Sequence, residues 1–78
     1  MRYTTNIKEI LQRIISGSEL TTSYSDNNKI ISLAWIDKYK EDSLEIPYNI
    51  AEWFIMNEIV TECSGNMILG EMSYYSSL

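Results

Sequence analysis

A change of hydrophobic period within the first 36 residues limits the fold more than any other feature of this chain. Asn6 followed by Glu9 makes a capping-box-like start, in which Asn6 accepts an N–H bond while Glu9 reaches back. Ile7, Ile10, Leu11, Ile14 and Ile15 then lie on one stripe, and Gly17 stands where a left-handed helix cap is expected. The spacing predicts an amphipathic helix over 7–16, with Lys8, Glu9, Gln12, Arg13 and Ser16 on its wet face. From Leu20 the period drops to two. Leu20, Thr22 and Tyr24 alternate with Thr21 and Ser23, Ser25-Asp26-Asn27-Asn28 carries turn chemistry, and Lys29 to Ile36 resumes the alternation. This reads as an antiparallel hairpin. Ile31, Leu33 and Trp35 share one side, and Ile30, Ser32, Ala34 and Ile36 form an apolar outer face that is partly covered.

The second half is organised similarly. Asp37 to Ser43 is a charged connection without periodicity, and Leu44-Glu45-Ile46 is a candidate short edge strand that Pro47 limits. Asn49 with Glu52 repeats the capping-box pattern, so a second helix is expected over 50–63, ended by Ser64-Gly65-Asn66. A last strand is expected from Met67 to Tyr75, with Gly70 as a bulge or close approach. The expected fold class is α+β. It is a single two-layer domain over 1–78, helix–β-hairpin–helix–strand, with two helices on one face of a three-stranded antiparallel sheet.

Several kinds of chemistry are disfavoured by what the chain lacks. There is no His, which removes the usual general base, Ser–His and Cys–His pairs and imidazole metal ligands. No P-loop, G-x-G-x-x-G or C-x-x-C occurs, and Asp26-Asn27-Asn28 lacks the ligand spacing of a calcium loop. Paired carboxylates need a concave pocket that 78 residues rarely make. No enzyme activity, metal or cofactor is therefore expected. Cys63 cannot form an internal disulfide, and it reads as a small hydrophobe near a helix end. The first twenty residues hold no unbroken apolar run, so a chain without signal peptide or membrane span, placed in the cytoplasm, is expected.

Charge is more informative. The net charge is −5, but residues 1–40 hold all six bases against four acids. Residues 41–78 hold Glu41, Asp42, Glu45, Glu52, Glu58, Glu62 and Glu71 with no base at all. Such asymmetry points to an interaction surface. On a wheel of the expected 50–63 helix, Trp53, Ile55, Met56, Ile59, Val60 and Cys63 form the core arc. Ile50 and Phe54 fall among the polar positions beside Glu58 and Glu62. Either the 37–46 segment or the C-terminal tail covers Ile50 and Phe54, or they form an aromatic anchor flanked by carboxylates. Tyr74 and Tyr75 point to opposite faces of a strand, so one of them is exposed or at an interface.

In size and charge the whole chain is similar to the small acidic inhibitors of phages and mobile elements, including anti-CRISPR proteins and DNA mimics. That similarity rests on no motif. The leading expectation is a protein-binding inhibitor that docks onto a basic surface of a nucleic-acid-handling host enzyme. Its contact residues are Glu41, Asp42, Glu45, Ile50, Phe54, Glu58, Glu62 and Tyr75. The alternatives are a homo-oligomeric structural or adaptor protein with an apolar interface, and a small DNA-binding regulator using Lys8, Arg13, Lys29 and Lys38/Lys40. The acidic balance disfavours direct nucleic-acid contact.

Overall fold

A computed structural model describes residues 2–24, 30–66 and 70–78, without the side chains of 24, 30–32 and 64–66. In chain order the elements are β1 (Arg2–Tyr3), α1 (Ile7–Ile15), β2 (Leu20–Tyr24), β3 (Ile30–Ile36), β4 (Leu44–Pro47), α2 (Tyr48–Met56), β5 (Val60–Asn66) and β6 (Glu71–Ser76). The strands make one sheet in the order β1-β4-β3-β2-β6-β5, parallel at β1–β4 and antiparallel elsewhere. The α+β class holds, but the sheet is six-stranded and mixed rather than three-stranded and antiparallel.

Three strands account for the difference. β1 is only two residues long and has no period to read; it is held because Arg2 N and Thr4 N donate to Ser43 O and Glu45 O at 3.2 and 2.9 Å. β4, expected at an edge, lies between β3 and β1. β5 takes residues assigned by spacing to the second helix. The expected turn at 25–28 and the start of the last strand at 67–69 lie outside the described residues. Gly70 lies in a turn just before β6, at φ +67°.

Pairing partners share a face of the sheet, so the register divides the strands cleanly. Leu20, Ala34, Ile36, Leu44, Ile46, Val60 and Tyr74 lie on one face and are buried together with Ile10 and Ile14 of α1 and Ala51 and Phe54 of α2. Both helices thus cover that face. The opposite face carries Tyr3, Glu45, Trp35, Thr21 and Ser73 in one row. The hairpin side holding Ala34 and Ile36, expected outermost, is the core side, and Leu33 and Trp35 lie half-buried on the other. Thr22 is also buried in the core, and its hydroxyl has no hydrogen-bond partner among the described residues.

The two helices end alike. In α1, Gly17 N donates to Ile14 O and Ser18 N to Arg13 O, both at 3.0 Å, with Gly17 at φ +105°. In α2, Glu58 N donates to Ile55 O and Ile59 N to Phe54 O, both at 3.1 Å, with Glu58 at φ +57°. Both are Schellman caps, whose left-handed residue is usually glycine. At the starts, Asn6 Oδ1 accepts from Glu9 N at 3.1 Å, but Glu9 pairs with Arg2 instead of reaching back. The second capping box does not form: α2 begins after Pro47, which caps it with no side-chain bond, and Asn49 lies inside the helix.

Candidate interaction surface

The open face of the sheet is a polar network built around two carboxylates. Glu19, just before β2, accepts hydrogen bonds from Thr21 Oγ1 at 2.9 Å, Ser73 Oγ at 2.8 Å and Tyr75 OH at 2.8 Å. Burial pushes its carboxyl upward, but the hydroxyls of Ser73, Tyr75 and Thr21 outweigh burial and hold it below its ordinary 4.5. Glu71 opens β6 and accepts from Lys38 Nζ and, at 2.6 Å, from Tyr39 OH. Burial raises it too, and Lys38 and Tyr39 bring it below 4.5. Lys38 also lies over the Trp35 ring at 4.4 Å, so the segment after β3 folds back across the open face.

That segment is anchored at Asp37, a buried residue at φ +53°. Its carboxylate accepts from Ser18 Oγ at 2.7 Å, Arg13 at 3.0 Å and Glu19 N at 3.2 Å. Burial again opposes and these donors prevail, leaving Asp37 below its ordinary 3.8. The network therefore works as a brace between β2, β6 and the 37–42 turn.

The expected contact residues separate into two groups. Glu41 and Asp42 are exposed on the turn before β4, in a cleft shared with Arg2, Arg13, Ser43 and Leu44. Arg13 pairs with Asp42 at 3.4 Å and neutralises part of that charge. Glu45 is half-buried on the open face between Tyr3 and Trp35. Glu58 and Glu62 are exposed near β5, at the other side of the sheet. Four strand spacings separate β4 from β5, about 19 Å. The seven acids of the second half are not one surface.

The expected aromatic anchor is corrected. Phe54 is fully buried, and Ile50 is half-buried against the core. The exposed apolar residues of α2 are Trp53 at 46% and Met56 at 73%, both assigned by spacing to the core. They lie one turn apart on the outer side of the helix. Ile55, Glu58, Val60, Thr61, Glu62, Tyr74 and Ser77 line a groove of about 560 Å³ between the end of α2 and β5. Tyr75 is exposed while Tyr74 is buried, and the Tyr75 hydroxyl belongs to the Glu19 network. Cys63 is exposed on β5 rather than packed as a small hydrophobe.

Sequence spacing missed Trp53, Met56 and Glu19. A wheel drawn over residues 48–56 alone would have found the first two, because Ile50, Ala51, Phe54 and Ile55 then define the inward side. Glu19 carries no signal in the sequence, since its three donors come from two strands and from 54 and 56 residues away for Ser73 and Tyr75.

The fold and this surface define a two-layer α+β domain with one helix-covered and one open sheet face. No protein-family model, curated protein or solved structure matches the chain. Among the described residues no helix is long and apolar enough to cross a membrane.

Proposed function

We propose that this protein works by binding another protein through the outer side of α2 and the adjoining start of β5. In this reading the partner offers a basic surface of a nucleic-acid-handling enzyme, and occupying that surface inhibits it. One observation carries the proposal. Among the described residues, Glu52 is exposed without an ion pair beside exposed Trp53 and Met56 on α2, and Glu58 and Glu62 are exposed without one at the groove by β5, whereas every described base except Lys8 is in an ion pair. Free surface charge is therefore acidic, and here it borders an apolar anchor. Carboxylates can fill Lys/Arg sites that otherwise hold phosphates, and they steer the encounter. Trp is the side chain that most often carries binding energy at such a centre.

The test uses the tagged protein as bait, with the captured enzyme then purified for affinity measurements over a range of salt. Trp53→Ala is expected to weaken binding by about thirtyfold. The triple change Glu52→Gln, Glu58→Gln, Glu62→Gln is expected to flatten the salt dependence. Duplex DNA should compete with the protein for the enzyme. Unchanged affinity and salt slope in both variants would overturn the proposal.

A further inference from the structure

We infer that the partner enters as an extended basic segment, which adds a seventh strand beside β5. This rests on the protein-binding reading above and specifies what that surface holds. β5 is the last strand of the sheet, so its outer side has no neighbouring strand among the described residues. Ser77 N donates to Ile59 O at 3.0 Å, and this pair continues the register Val60↔Ser76 and Thr61↔Tyr75. Antiparallel pairs alternate between hydrogen-bonded and non-hydrogen-bonded. Ile59–Ser77 and Thr61–Tyr75 are thus the bonded pairs, and the N–H and C=O groups of Val60 and Glu62 turn away from β6; Val60 is buried, so Glu62 is the open position of this edge. The register irregularity between Glu62 and Ser64 ends this regular stretch.

Side-chain chemistry at this edge selects the occupant. Val60 and Glu62 lie on the helix side of the sheet, where the groove has Ile55, Val60 and Tyr74 as its apolar part and Glu58 and Glu62 as its charges. An added strand places every second side chain in that groove. A Lys or Arg opposite Glu62 meets an opposite charge across the strands, with its aliphatic stem over Ile55. Residues in between point to the open face, where Thr61 is the neighbour. Main-chain bonds give affinity for any extended chain, and the carboxylates restrict it to a basic one.

The probe is an acetylated, amidated peptide of alternating Lys and Val. Its control is the same peptide N-methylated at the amides that would face β5. Binding is followed by amide exchange and titration on the full chain. The Glu62 amide is expected to become protected, and the N-methylated peptide to bind about tenfold more weakly at equal charge. Glu62→Pro is expected to lose about tenfold more than Glu62→Gln, because both remove the charge but only proline removes the outward N–H. That N–H is outside the β6 ladder, so the proline variant keeps the sheet, and circular dichroism checks this. Equal binding of both peptides with an unprotected Glu62 amide would sink the strand addition while leaving the charge-based reading intact. No binding of either peptide also overturns it. So does a dimer of the free protein, by light scattering, with the Glu62 amide already protected, since the edge then belongs to a second copy.

Discussion

Glu19 and Thr22 stand three positions apart in the sequence and meet opposite conditions. The Glu19 carboxylate has three hydroxyl donors, and the Thr22 hydroxyl, on the core side, has no partner among the described residues. An unsatisfied buried hydroxyl destabilises by about 1–3 kcal/mol. Thr22→Val keeps the shape and removes the group, so urea denaturation should report a gain of about 1 kcal/mol. Glu19 sets a pH dependence. Glu19, Glu71 and Asp37 are all held below their ordinary values of 4.5, 4.5 and 3.8. Groups depressed in the folded state stabilise it fully above the unfolded values, and that contribution is lost as pH falls through the folded ones. Stability should be level near neutrality and drop below about pH 4.5. Glu19→Gln should lower stability at neutral pH and make the acid decline shallower. An acid decline identical to that of the unaltered protein would count against the role of Glu19 as a brace.

At the scale of elements, the two helix ends separate what sequence conveys from what it hides. α1 ends at a glycine, and its boundary is legible to within one residue because Gly17 marks the left-handed position. α2 closes with the same two hydrogen bonds, but Glu58 occupies that position. Without a glycine signal, the apolar residues Ile59, Val60 and Cys63 read as further turns of helix. Adding them to the wheel rotates its apolar arc, moving Trp53 and Met56 inward and Phe54 outward. The misplaced anchor and the missing β5 are therefore one error. The hairpin is legible because its alternation is local, whereas β1 depends on contacts from more than forty positions away. Glu58 also carries a testable cost. A non-glycine residue in left-handed geometry is strained by about 1–2 kcal/mol, and glycine's own entropy offsets part of the relief. Glu58→Gly should raise stability by about 0.5–1 kcal/mol in thermal or urea unfolding, and at the same time weaken partner binding.

For the whole molecule, the net charge of −5 matters less than how the ions are distributed. Arg13 and Lys40 join at Asp37, Lys38 is taken up by Glu71, and Arg2 by Glu9, so most described bases serve the fold. The exposed acids without ion pairs then dominate what another molecule meets. The strand order has a further consequence, for synthesis rather than recognition. β6 lies between β2 and β5, so β5 is joined to the rest of the sheet only through β6. While a ribosome is still translating residues 71–76, the β2–β3 hairpin can close but β5 has no strand to join. The edge proposed to receive the partner is therefore assembled last, once β6 has paired with β2.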